Sequence, residues 1–117
     1  MTDQPPRRSL FIGRWQPLHE GHIALIRTAL DEGRDVLIGI METPRSERNP
    51  HAVERRMEMF WHRFGDEMMA GRMTLMRMPW IDEVCYGRKC GWGCRHIQLS
   101  AELEAINGTA LRDGGNE

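Results

Sequence analysis

The sequence predicts an α/β fold built on a parallel sheet, and three observations carry that expectation. Short apolar runs alternate with amphipathic stretches from residue 9 to residue 78. The run Asp35-Val-Leu-Ile-Gly-Ile40 is apolar after its first residue, as in a strand buried on both faces. Val53, Met57, Phe60, Trp61 and Phe64 recur at helical spacing. The order strand, helix, strand, helix, strand implies right-handed crossovers, hence parallel strands with helices covering the sheet on both faces.

Element by element, Met1 to Arg8 is polar and Pro-rich and reads as a frayed arm. Ser9 to Gly13 is the first strand. A helix follows over about Gly21 to Glu32, with Ile23, Ile26 and Leu30 on one stripe and Gly33 as its C-cap. Asp35 to Ile40 is the second strand. Met41 to Pro50 holds two prolines and four charges and is a loop. His51 to Phe64 forms the second helix, and Gly65 to Gly71 a turn or short extra helix. Met73 to Met78 is the third strand. Val84 to Tyr86 is a short ordered piece before the glycine-rich stretch Gly87 to Gly93. Arg95 to Leu99 reads as a last strand, and Ser100 caps a short helical turn through Ile106. A final helix would start near Thr109, and Gly114-Gly115 stops it. The division is one domain over 9–113, with flexible ends at 1–8 and 114–117.

At 117 residues the chain makes one domain with one core. Sixteen basic residues stand against 17 acidic ones, without the excess of a general nucleic-acid binder. No apolar stretch reaches the roughly 18 residues of a membrane span, and the N-terminus lacks a signal-peptide core. Three clustered cysteines fit reduced thiols in a cytoplasm. Cys85, Cys90, Cys94 and His96 match no common zinc spacing, so thiols are favoured over a metal site. The methionines at 57, 59, 68, 69, 73, 76 and 78 read as core filler.

The chemistry concentrates in Gly13-Arg14-Trp15-Gln16-Pro17-Leu18-His19-Glu20-Gly21-His22. It lies between the first strand and the first helix. There the helix's unpaired N–H groups and positive dipole end face the loop, and Gly21 admits a ligand close to the backbone. His19 and His22 can donate hydrogen bonds to phosphate oxygens at that place. In open parallel sheets ligands bind beyond the C-terminal strand ends, where this loop begins.

This run resembles the His-x-Gly-His motif of the nucleotidyltransferase superfamily. Its longer form, Gly-Arg-[Phe/Trp]-Gln-Pro-x-His-x-Gly-His, is similar to the nicotinamide mononucleotide adenylyltransferase-like branch. Near the C-terminus, Ile106-Asn107-Gly108-Thr109-Ala110-Leu111-Arg112 resembles the superfamily's Ile-Ser-x-Thr-x-x-Arg, with Asn107 in place of serine. Asn49-Pro50 with Arg56 resembles the branch's Asn-Pro-[aromatic]-x-x-x-Glu-Arg, with His51 for the aromatic and Arg55 for the glutamate. Tyr86-Gly87-Arg88 with Gly91-Trp92 resembles a segment of short adenylyltransferase-like domains. The resemblance spans about residues 8 to 112.

It implies a Rossmann-like three-layer domain that transfers a nucleotidyl group, foremost adenylyl from ATP to nicotinamide mononucleotide, with release of pyrophosphate. The alternatives are cytidylyl transfer from CTP to a small phosphorylated alcohol, and a nucleotide-binding module without turnover. His19, His22 and Arg112 are the expected catalytic residues. Gly13, Arg14, Gly21, Gly108 and Thr109 join them around the phosphates. Asn49, Arg88 and Trp92 are candidates for the acceptor. Mg²⁺ is expected on the nucleotide phosphates, since no carboxylate cage is evident. The protein is expected in the cytoplasm, without nucleic-acid or membrane partners, with a homo-oligomer as an option.

Overall fold

The computed structural model describes residues 5–88, 91 and 93–104. Three parallel strands, β1 (Arg8–Gly13), β2 (Asp35–Met41) and β3 (Met73–Met78), form a sheet in the order β1-β2-β3. Arg8 pairs with Asp35 and Gly13 with Ile40, while Val36 pairs with Met73 and Met41 with Met78. The α/β class and the parallel sheet are as the sequence predicts. β3 has the expected bounds, and β1 begins one residue earlier.

Helix α1 (Glu20–Asp31) connects β1 to β2, and α2 (Val53–Met69) connects β2 to β3. The C-cap of α1 is Glu32, one residue before the expected Gly33, which follows it in the left-handed conformation (φ +83°) that ends the helix. Both crossovers step across the sheet in the same direction, so right-handedness lays α1 and α2 side by side on one face. Their contacts agree. Arg27 of α1 pairs with Glu67 of α2 at 2.7 Å and lies 5.1 Å over the Phe64 ring.

The core fills the space between these helices and the sheet. Val36, Ile38, Ile40, Ile26, Phe60 and Phe64 are fully buried there. Each apolar side chain of this size contributes about 1.5–3 kcal/mol on burial. Leu10 and Met76, which the register places on the opposite face, are 46% and 40% exposed. Among the described residues the second face is therefore open.

The helix expected over residues 51–64 begins at Val53, and at Phe64 the backbone leaves helical geometry (φ −127°, ψ 26°), a kink that joins it to the short extra helix expected after Gly65, which ends at Met69. Other expectations need correction. Trp61 is 47% exposed, because at 100° per residue it falls about 80° from Val53, at the margin of the stripe. Met69 and Met76 are exposed rather than core filler. Residues 95–99 form no strand. They pass beside β1 without ladder bonds, with Arg95 tied by its side chain to Glu32 (3.0 Å). Residues 84–86 are likewise irregular, and a short helix, α3 (Ala101–Glu104), follows Ser100.

Candidate functional site

The site begins where β1 ends. A Cβ on Gly13 would stand 3.0 Å from the Trp15 indole, so a side chain here would press on the buried ring and this close turn favours glycine. Trp15 has φ +54°, a left-handed backbone costing a side-chain-bearing residue roughly 1–2 kcal/mol. Its surroundings offset that strain. The indole is 4% exposed, its Nε1 donates to the Gly39 carbonyl at 3.1 Å, and it packs edge-on against Phe60 and His22.

Two buried polar side chains then join this loop to the one after β2. Gln16 donates from Nε2 to the His51 carbonyl (3.0 Å) and accepts the His51 N–H on Oε1 (2.9 Å). Arg56, fully buried, donates from Nη1 to the carbonyls of Arg14 and Met41 (both 2.7 Å) and from Nε to that of His51 (3.1 Å). Its Nη2 is buried without a partner among the described residues. Burial lowers the Arg56 pKa against the pull of Glu42 and Glu54. Sequence reasoning matched Arg56 to a motif but missed this work, because its three acceptors are backbone atoms on separate segments.

His19 is the N-cap of α1, with extended backbone. Its Nδ1 accepts the His22 N–H at 3.4 Å, and His22 Nδ1 accepts the His19 N–H at 3.2 Å. This is a capping box made of two imidazoles in place of the usual hydroxyl and carboxylate. The rings stack with centroids 3.6 Å apart and planes 18° apart. A ring that accepts at Nδ1 carries its proton on Nε2. Burial, with the His19 charge second, pushes the His22 pKa down to about 3. Burial also lowers His19, against the opposing pull of Glu20. At neutral pH both rings are neutral N–H donors. Glu20, between them, grips Arg63 of α2 with both carboxylate oxygens, at 2.6 and 3.3 Å. That bond holds its carboxyl below the usual range.

Both histidines and Gly21 line an open cavity of about 400 Å³ together with His96, Ile97 and Leu99. Sequence reasoning gave that last segment to the sheet and assigned it no lining role. The alternation of Ile97 and Leu99 marked two inward side chains, which here meet a cavity rather than a strand. The arrangement combines helix N–H groups, a positive dipole end and two ring N–H donors, the chemistry of an anion site.

Of the other expected residues, Arg14 lies beside this site and donates to Asn49 Oδ1 at 3.2 Å, bringing those two together. Asn49 does not cap α2, whose N-cap is Ala52. Arg88 is exposed on the loop after β3. Cys85 and Cys94 are exposed free thiols. Cys90, Trp92, Asn107, Gly108, Thr109 and Arg112 lie outside the described residues. No described helix is long and apolar enough to cross a membrane.

The nicotinamide-nucleotide adenylyltransferase of Thermococcus onnurineus is 34% identical over 79 residues, covering 66% of this chain and 42% of the relative. That of Pyrococcus furiosus is 42% identical over 78 residues, covering 65% and 42%. The chain thus spans less than half the length of these relatives. Among solved structures, a bifunctional NMN adenylyltransferase/ADP ribose pyrophosphatase from Francisella tularensis, complexed with AMP and a Mn ion, superposes with a TM-score of 0.52. It is 28% identical, over 64% of this chain and 23% of that one. The cytidylyltransferase-like family model matches residues 10–68, half of the chain, from the middle of β1 to the end of α2. Those residues contain the glycine turn, the paired histidines and the buried arginine, and by them the chain belongs to the cytidylyltransferase-like family.

Proposed function

We propose that this domain transfers an adenylyl group from ATP to a small phosphorylated acceptor, foremost nicotinamide mononucleotide, and releases pyrophosphate. The observation that carries the reading is the pair of Nε2–H donors on His19 and His22 at the N-terminus of α1. An acceptor phosphate oxygen attacks the α-phosphorus in line, the bond to the bridging oxygen breaks, and pyrophosphate leaves with the electron pair. No covalent enzyme intermediate is needed. Catalysis comes from positioning and from donors aimed at the charge that develops on phosphorus. His22 and His19 serve the α- and β-phosphates, and Arg14, steadied by Asn49, the same phosphate run. Thr109 and Arg112 serve the leaving pyrophosphate. The names of the relatives favour adenylyl over cytidylyl transfer.

The donor set suits an anion rather than a cation: two imidazoles and the first turn of α1 line the cavity, and Glu20 is committed to Arg63. Magnesium accordingly belongs to the substrate, arriving as the metal–nucleotide complex, and the residues described do not hold it themselves. The reading is tested by pyrophosphate release with Mg²⁺, crossing ATP and CTP against nicotinamide mononucleotide and small phosphorylated alcohols. Release with ATP and nicotinamide mononucleotide, abolished by His22→Ala, is the expected result. Binding of ATP with no release from any pair would replace the enzyme with a binding module.

A further inference from the structure

We propose that His19 and His22 are each other's positioning residues: each Nδ1 caps α1 through the other's backbone N–H, so a proton on either ring frees the helix N-terminus and dismantles the anion site in one step. The inference rests on the reading that the two Nε2–H groups meet nucleotide phosphates, and it makes the site's response to acid run against the obvious direction. Two histidines near a phosphate would ordinarily bind it better as pH falls, because each gains a positive charge. Here each ring nitrogen already has a use. Protonation puts a hydrogen on Nδ1, which then faces a backbone N–H 3.2 or 3.4 Å away, donor against donor. The rings are stacked at 3.6 Å, so a charge on one disfavours a charge on the other.

The surroundings offer the protonated form little support. On α1 itself Glu20 is the nearest carboxylate, and it is bound to Arg63, the charged group that α2 contributes. The segment across the cavity contributes Arg95, paired with Glu32, and His96. The loop before α1 contributes the apolar edge of Trp15. Acid thus removes the cap and the ring donors' alignment together, and phosphate binding weakens.

The test is nitrogen-15 spectroscopy of the histidines in the full chain as a function of pH. The expected spectrum shows Nε2–H tautomers for both rings, with Nδ1 unprotonated well below the ordinary histidine value of about 6.5. An Nδ1–H tautomer in either ring, or titration near that value with α1 amides still protected, overturns the proposal. Two variants separate the ring's two ends. Asparagine places an amide oxygen near the Nδ1 position, and glutamine places an amide nitrogen near Nε2. His19→Asn keeps its melting temperature within a few degrees of the parent and binds MgATP weaker by about tenfold or more. His19→Gln melts about 4–8 °C lower, the scale of a lost N-cap. Equal melting of the two variants overturns the reciprocal cap. The wild-type spectrum decides alone if either variant fails to fold. Nε2–H tautomers without MgATP binding at any pH leave the positioning pair standing and remove the nucleotide reading. MgATP binding that strengthens in acid overturns the proton gate and leaves the nucleotide reading intact.

Discussion

The loop after β1 and the loop after β3 leave the same end of the sheet, yet they are built in opposite ways. In the first, Trp15 and Gln16 are 4% and 3% exposed, and their polar atoms bond to the backbone of β2 and its following loop. In the second, Trp80, Val84 and Tyr86 are 58%, 67% and 66% exposed. The first loop is fixed before any ligand arrives, which is what stabilising a transient charge on phosphorus requires. The second presents aromatic and apolar surface that no described element covers, as suits a side where a substrate ring supplies the missing contacts. Under the proposed function, the first is the nucleotide side and the second the acceptor side.

The sharpest way to break that contrast is to unfasten the first loop. Arg56→Met leaves the carbonyls of Arg14, Met41 and His51 without a donor, and the expected loss is about 3 kcal/mol or more in urea unfolding. A loss below about 0.5 kcal/mol would mean that the two loops are not fixed through this side chain. Next comes His22→Ala, expected to cut turnover by about 100-fold or more, or roughly 2.7 kcal/mol. Single-turnover rates on the variant measure it directly.

Acid probes the same region. The His22 pKa is lowered to about 3 in the folded chain, against about 6.5 unfolded. Between those values the unfolded chain binds the extra proton, so stability is complete above about pH 6.5 and is lost as pH falls toward 3. Urea midpoints at several pH values test it, and His22→Ala should flatten the profile. Trp15→Phe keeps an aromatic ring but loses the bond to Gly39 and part of the buried indole, for about 2 kcal/mol. The smallest effect belongs to the other loop. Trp80→Ala should leave stability within about 0.5 kcal/mol while raising the KM for the acceptor. A large stability loss there would erase the distinction between the two loops.

What the sequence disclosed follows from how local each feature is. β2 was readable because its apolar run is short and continuous, and β3 because its short, largely apolar run is bounded by glycine and proline. The histidine motif was readable because strand, turn and helix start are contiguous in the chain. The break in α2 was readable too, because Gly65 reads as a stop with a short helix after it, while the joining of the two pieces at the buried Phe64 was not. The strand expected at 95–99 failed for a related reason. Alternation of side chains shows which of them turn inward, but pairing depends on a neighbouring edge that the pattern does not contain. The tie between Arg56 and three carbonyls was invisible because its partners have no side-chain identity at all.

That tie has a consequence for how the molecule opens. Arg56 holds the first loop at Arg14 and the second at Met41 and His51, and Gln16 binds His51 from the other side. Neither loop can detach without leaving buried donors or acceptors in the other unpaired. The two segments therefore breathe as one cooperative unit, and their amides should exchange with solvent deuterium at a common rate although some thirty-five residues separate them in the chain.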